Sequence, residues 1–142
     1  MNFKKIAAGA LAATAMTVAV PAVAHADPVT AFRLCDTEAC DNRVQGTVTW
    51  HNRTATVSGW VVDKGAGFTT AKFRAYDTNG KQVGPDVSRY TDDASTNPTL
   101  KSPRAIGFGM GDTTKPGGLG KIAVFLCFTE TACQHSLTLP KP

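Results

Sequence analysis

An alternation of polar and apolar residues constrains the fold of this chain more than any other feature. The segments 44–50, 54–62 and 70–77 each place apolar or small residues at every second position. Successive side chains of a β-strand point to opposite faces, so this pattern predicts strands with one face in a core. Trp50 falls on the apolar face of its segment, and we expect it in the core. No segment has the roughly 3.6-residue period of an amphipathic helix.

Turn residues separate the predicted strands. Residues 51–53 join the first two segments into a predicted hairpin, and Asp77-Thr78-Asn79-Gly80 follows the third. Asn79 and Gly80 tolerate the positive φ that hairpin turns require. Further strands are predicted at 87–90, 105–110, 121–128 and 136–139.

Short strands with turn residues between them predict an all-β fold, either a single antiparallel β-sandwich or a small barrel. Alternating glycines in the segment 105–110 indicate a β-bulge or a close approach by another backbone. No linker divides the chain after residue 26, which indicates one domain, residues 27–142.

The first 26 residues have the three parts of a signal peptide in the expected order. Lys4 and Lys5 carry positive charge, an uncharged run extends from Ile6 to Val20, and Ala24-His25-Ala26 ends the segment with small residues two apart. So short and Ala-rich a run is a poor membrane span. We expect cleavage after residue 26 and secretion of an extracellular domain that has no membrane contact.

The charge of the chain argues against nucleic acid as a partner. The formal net charge is +4, of which Lys4 and Lys5 contribute two, so the domain that follows carries +2. A nucleic-acid interface needs Lys and Arg clustered on one face, whereas here they are scattered. We expect a monomer that binds no nucleic acid.

Four cysteines form two short sequence pairs, Cys35 with Cys40 and Cys127 with Cys133. Disulfides are expected outside the cell, and four cysteines permit three connectivities that spacing alone does not distinguish. We favour the two local pairs, because both segments are polar turns that contain Thr-Glu and end in Ala-Cys. Crossed pairs that tie the two ends of the domain together stay open. Structural zinc sites usually space their cysteines more tightly, so no metal is expected.

The chain has no positive signature of catalysis or cofactor binding. The Gly-rich segments 107–111 and 115–121 miss the spacings of dinucleotide and phosphate loops, and there is no G-x-S-x-G motif. His51, His135 and the acidic pair 92–93 stand in polar segments, where solvated positions are expected. We expect no enzyme and no cofactor. A hydrolase would need residues 92–93 and His135 to converge in one pocket.

Trp60 breaks the pattern of its strand, because it falls on the polar face. If the next predicted strand is its neighbour, Lys72, Arg74 and Tyr76 join Trp60 on one aromatic, polar sheet surface. Such surfaces bind sugars, since ring faces stack on C–H surfaces and polar groups orient the ligand. The alternative is a bulge at Gly59 that returns Trp60 to the core. Both interpretations stay open.

A family resemblance rests on the hairpin and the strand after it. The segments Gln45-Gly-Thr-Val-Thr-Trp-His-Asn-Arg53, Val57-Ser-Gly-Trp-Val-Val-Asp63 and Phe73-Arg-Ala-Tyr76 resemble small uncharacterised secreted proteins of actinobacteria. The resemblance implies a secreted β-sandwich without an assigned activity, and it assigns no functional residue.

Export and the misplaced Trp60 favour a non-catalytic extracellular domain that binds a cell-surface or polysaccharide ligand. The alternative is a secreted proteinaceous inhibitor of a hydrolase, with an extracellular protein as partner. A compact disulfide-linked domain presents a rigid loop, such as 91–103, at a low entropic cost of binding.

Overall fold

The computed structural model describes residues 26–65, 67–129 and 132–142. The predicted signal peptide, residues 1–26, lies outside this part of the chain except for Ala26, so its cleavage stays a prediction. Within the described ranges, no helix has the length and apolar character needed to cross a membrane.

Two antiparallel sheets of four strands each form the described part of the chain. Sheet A has the strand order β1-β2-β3-β6 and sheet B has the order β5-β4-β7-β8. Their bounds are β1 (Val29–Cys35), β2 (Arg43–Trp50), β3 (Thr54–Val62), β4 (Thr69–Asp77), β5 (Val87–Thr91), β6 (Arg104–Gly111), β7 (Leu119–Cys127) and β8 (Cys133–Pro140). The predicted all-β fold is confirmed, and it is a sandwich rather than a closed barrel.

The core lies between the two sheets. Phe73 of β4 is fully buried, and its ring meets Phe32 of β1 at a centroid distance of 6.1 Å and Phe108 of β6 at 5.0 Å. Both pairs are edge-to-face, the geometry that aromatic rings favour. Trp50 is also buried, as predicted, and its indole N–H donates to Thr30 Oγ1 at 2.9 Å.

The strands confirm most of the predicted segments, with one addition. Strand β1 was not among the predicted strands, because its inward face carries only Phe32 and Leu34 beside the polar Thr30. It pairs with β2 and so completes sheet A. The glycines in 105–110 were expected to mark a bulge or a close backbone approach. Neither is present at Gly107 or Gly109, since β3 and β6 pair without a shift in register and a Cβ at either glycine would meet no atom within 4 Å.

Both local disulfides are present, as predicted. Cys35–Cys40 closes the turn after β1, and Cys127–Cys133 joins the adjacent ends of β7 and β8. The described residues contain no free cysteine. A short loop constrains the unfolded chain only modestly, so these bridges stabilise turns rather than tie the two sheets together.

One carboxyl group is buried beside the β3–β4 connection. Asp63 is 2% exposed, and its Oδ1 accepts hydrogen bonds from Thr69 Oγ1 and the Gly65 N–H, both at 3.2 Å. Its Oδ2 is buried without a partner in the described part of the chain. Burial raises the pKa of Asp63 above its ordinary value of 3.8, because desolvation disfavours the charged form.

We expect Asp63→Asn to stabilise the domain at pH 7 and to lose this advantage in acid. The folded state holds the Asp63 proton more tightly than the unfolded chain does. Its stabilising contribution is therefore complete below the unfolded pKa and is lost as pH rises through the folded pKa. A buried amide costs less than a buried carboxylate. Urea denaturation from pH 3 to pH 7 measures the difference, with Asp41→Asn at an exposed position as control. Equal destabilisation at every pH would contradict the expectation.

Candidate functional site

The structure separates the four side chains that were predicted to share one surface. Trp60 lies on β3 in sheet A, whereas Lys72, Arg74 and Tyr76 lie on β4 in sheet B. The prediction that they form one face is wrong, because β3 pairs with β2 and β6 while the chain crosses to the other sheet before β4 begins. The domain therefore presents two candidate faces, on opposite outer sides of the sandwich.

Trp60 is exposed on the outer face of sheet A. Its exposed fraction is 47%, one of the highest among the large apolar side chains of the described residues. Strands β2 and β3 pair without a register shift, so Gly59 forms no bulge and the core interpretation of Trp60 is wrong. Across the sheet, Trp60 stands opposite Gln45 on one side and Ala105 on the other.

Two hydroxyl residues and a glycine lie two positions along the strands from Trp60 and its direct neighbours on this face. Thr47 stands opposite Ser58 in the pairing of β2 with β3, and Gly107 stands opposite Ser58 in the pairing of β3 with β6. A Cβ added at Gly107 would meet no atom within 4 Å. We call the group of Gln45, Thr47, Ser58, Trp60 and Gly107 the Trp60 platform.

Among the described residues, no neighbouring atom requires glycine at positions 107 and 109 of the edge strand β6. Gly107 and Gly109 have ordinary backbone conformations and open space above them. Glycine weakens a strand, and within strands it often marks a place where a ligand approaches the backbone closely. Beside the Trp60 ring, the backbone of β6 is therefore accessible because no side chain covers it at Gly107 and Gly109.

On the outer face of sheet B, Arg74 and Tyr76 contact their own neighbours. Arg74 donates to both carboxylate oxygens of Asp86, at 2.8 and 2.7 Å, and its guanidinium lies 5.6 Å from the centroid of the Phe125 ring. These hydrogen bonds lower the pKa of Asp86 and raise that of Arg74. Tyr76 lies against Lys121, with 5.1 Å between the Nζ and the ring centroid. Arg74 and Tyr76 therefore stabilise the outer surface of sheet B through contacts with its own residues.

Lys72, by contrast, lines a groove of 470 Å³ at the β5 edge of sheet B. The other lining residues are Phe68, Thr70, Ser88 and Tyr90, and we call this the Phe68–Tyr90 groove. Tyr90 was missed in the sequence because it joins Lys72 only through the pairing of β4 with β5, which places Ser88 opposite Lys72 and Tyr90 opposite Thr70.

The acidic side chains at the far end of β4 cap turns. Asp77 and Asp112 both line a cavity of 180 Å³. Asp77 Oδ1 accepts from the N–H groups of Asn79 and Lys81, and Asp112 Oδ1 accepts from the N–H and hydroxyl of Thr114. The Thr114 bonds lower the pKa of Asp112. Among the described residues, no group of three His, Cys, Asp or Glu side chains is arranged to hold a metal ion.

His51 joins the N-terminal segment to the β2–β3 hairpin. Its Nδ1 lies 2.6 Å from Asp27 Oδ2, and its Nε2 lies 2.9 Å from Thr56 Oγ1. The order carboxylate, imidazole, hydroxyl is that of a hydrolase triad, which also needs backbone donors for an oxyanion. Thr56 lies within a central strand paired on both sides, with Thr49 and with Gly109, so the backbone N–H groups of β3 around it are used by the sheet. We assign the cluster a structural role.

The residues that a hydrolase would require, the acidic pair 92–93 and His135, do not converge. Asp92 follows β5 and His135 lies on β8, and these strands are the two opposite edges of sheet B. Three interstrand spacings separate them, about 14 Å.

Searches against protein-family models, curated proteins and solved structures found no match for this chain. The resemblance to small secreted actinobacterial proteins stays a prediction.

Proposed function

We propose that the domain is a non-catalytic extracellular module that binds a surface polysaccharide through the Trp60 platform. The observation that carries this proposal is the exposure of Trp60, 47%, on a sheet face where its neighbours are amide, hydroxyl and small residues, with Arg33 and Arg43 beside Gln45. An indole exposed to this degree offers a large apolar area that water solvates poorly.

The chemistry of the platform suits a sugar chain. The indole face stacks on the C–H face of a pyranose ring, while Gln45, Thr47 and Ser58 supply donors and acceptors for its hydroxyl groups. The open backbone at Gly107 lets the next ring lie close to the sheet. A flat surface of paired strands presents these groups in one plane with little freedom to lose on binding.

We expect Trp60→Ala to weaken binding to an insoluble polysaccharide about thirty-fold, because the substitution removes the central aromatic contact of the site. Stability changes little, because the ring contributes little to the core. Depletion of the oxidised domain residues 27–142 from solution by cellulose, chitin and purified cell walls measures the binding. Equal depletion of the variant and the parent domain by every matrix would contradict the proposal.

Gly107→Val tests binding by adding a side chain to the platform instead of removing one. Valine is the better strand residue, so the variant keeps or gains stability, by up to about 1 kcal/mol. Its side chain projects from the sheet surface beside Trp60 and blocks close approach of the ligand. We therefore expect binding to fall as it does in Trp60→Ala. Thr138→Val, exposed on the outer face of sheet B, is the matched control and leaves binding unchanged. Normal binding by Gly107→Val would show that the ligand does not contact β6.

A second candidate function, inhibition of a hydrolase, is favoured by the loop between β5 and β6. The loop is closed by hydrogen bonds to Leu100 O from Asp92 N at 2.9 Å and from Thr91 Oγ1 at 2.7 Å. Residues 96–99 at its tip are exposed. A loop held by its own bonds enters an enzyme cleft at low entropic cost. Failure to slow a panel of proteases and amylases at micromolar concentration would remove this candidate.

A further inference from the structure

We infer that the Phe68–Tyr90 groove is a second carbohydrate site that binds an acidic polysaccharide, one whose sugar rings carry carboxylate groups. This inference does not rest on the Trp60 platform, because the groove lies on the outer face of the other sheet.

Two aromatic rings form the walls of the groove. The Phe68 and Tyr90 rings meet edge-to-face at an angle of 74°, with 6.5 Å between their centroids. Tyr90 is 44% exposed. Thr70 and Ser88 supply hydroxyl groups beside the rings. A volume of 470 Å³ is within the range of ordinary ligand pockets and holds one or two sugar rings.

One cation lines the groove and a second lies beside the Tyr90 ring. Lys72 lines the groove, and the Arg104 guanidinium lies 5.6 Å from the Tyr90 ring centroid. Arg104 is held there by a hydrogen bond from its Nη1 to Tyr90 O at 2.6 Å. Within the described residues, neither cation has a carboxylate oxygen within 4.0 Å.

The acidic residues that flank β5 are committed elsewhere. Asp86 accepts from Arg74 at 2.8 and 2.7 Å and from Gln82 Nε2 at 3.0 Å, and Asp92 Oδ1 accepts from the Ala94 N–H at 3.0 Å. The Arg74 hydrogen bonds and, to a lesser extent, the charge of Lys72 lower the pKa of Asp86, but Lys72 forms no ion pair with it. Lys72 therefore keeps a charge without a direct partner beside an apolar wall. A ligand that fits this combination has an apolar ring face, hydroxyl groups and a carboxylate, which together describe a uronic acid residue.

In the bound state, the C–H face of the uronate ring packs against Tyr90, its hydroxyls bond to Thr70 and Ser88, and its carboxylate accepts from Lys72. Charge-assisted hydrogen bonds of this kind are stronger than neutral ones. On the outer face of sheet A, Arg33 stands opposite Gln45, and Arg43 donates from its Nε to Gln45 Oε1 at 3.2 Å. The variants Lys72→Gln and Trp60→Ala, rather than charge alone, therefore distinguish the two faces.

The test uses two probes with the same sugar rings, an oligogalacturonate and its methyl ester, which replaces each carboxylate by an uncharged ester. Calorimetric titration of the domain residues 27–142 should show binding of the acid about tenfold tighter than binding of the ester. Lys72→Gln should abolish this preference, so that acid and ester bind equally. Tyr90→Ala should weaken both probes, and Tyr90→Phe should retain them because the ring is preserved.

Controls distinguish this site from general attraction and from the platform. Lys81→Gln removes an exposed cation beyond the far end of β4 and should leave the preference intact. Trp60→Ala should leave oligogalacturonate binding unchanged. Equal affinity for acid and ester, or loss of the preference in Lys81→Gln as in Lys72→Gln, would overturn the inference. Loss of acid binding in Trp60→Ala alone would overturn it too, yet would leave the proposed platform in place.

Discussion

We expect Phe73→Ala to lower the free energy of unfolding by about 4 kcal/mol, the loss typical of truncating a buried phenylalanine. Phe73 is fully buried and is the side chain of sheet B that meets the Phe32 and Phe108 rings of sheet A. Its removal leaves a cavity at the contact between the sheets and removes both edge-to-face pairs. Thermal unfolding followed by circular dichroism measures the effect, a fall in Tm of roughly 20 °C for a domain of this size.

Phe125→Ala is the matched control for this prediction. Phe125 stands opposite Lys72 in the pairing of β4 with β7, so it faces outward on the same sheet and lies beneath the Arg74 guanidinium. Loss of that contact costs about 1 kcal/mol. Equal losses in Phe73→Ala and Phe125→Ala would mean that the two faces of sheet B are not divided into core and surface.

The second large effect is expected at a glycine pair inside sheet A. Gly46 of β2 and Gly59 of β3 stand opposite each other on the inward face. A Cβ at Gly59 would overlap the carbonyl oxygen of Gln45 and would lie 2.7 Å from the Gly46 Cα. Both are backbone atoms of a central strand, which cannot turn aside as a flexible side chain does. We expect Gly59→Ala to cost about 3 kcal/mol, the upper end for overpacking.

Gly107→Ala supplies the control, because it adds the same methyl group to a strand of the same sheet. The methyl group there meets no atom within 4 Å. Alanine restricts the unfolded chain more than glycine, so this variant should gain about 0.5 kcal/mol. Chemical denaturation of both variants measures the two changes. Similar stability in Gly59→Ala and Gly107→Ala would contradict the close approach of β2 and β3.

The glycine pair also bears on function. The strands β2 and β3 carry most of the Trp60 platform, and their close approach brings Gln45 beside Trp60 on the outer face. A substitution at Gly59 therefore disturbs binding through the backbone, whereas Gly107→Val acts by contact. Comparing polysaccharide binding with stability across the two positions separates these causes.

Much of the fold follows from local patterns in the sequence. The period-two alternation in 44–50 and 54–62 predicts the hairpin of β2 and β3, and the Asn79-Gly80 turn predicts the end of β4. Gly80 has φ of +80°, the conformation for which glycine is suited. The local disulfides were favoured from the likeness of two short turns, and both formed. These features depend on neighbouring residues alone, so the sequence carries them directly.

Strand β1 shows where local patterns weaken. Its inward face begins with Thr30, which accepts the hydrogen bond of the Trp50 indole. A hydroxyl is suited to that position only because Trp50 of β2 lies beside it. The polar residue that obscured the strand in the sequence is thus explained by a partner about twenty residues away.

By itself, the sequence determined the all-β class, most of the strands, the turns between them and the odd position of Trp60 within its strand. Only the tertiary structure decided which strands are neighbours. It placed Trp60 opposite Gln45 and Ala105 rather than beside Tyr76, and it assembled Tyr90 with Lys72 across β4 and β5. The physical reason is that alternation records which side of a strand faces the core, whereas strand pairing depends on how two whole sheets bury their apolar faces against each other.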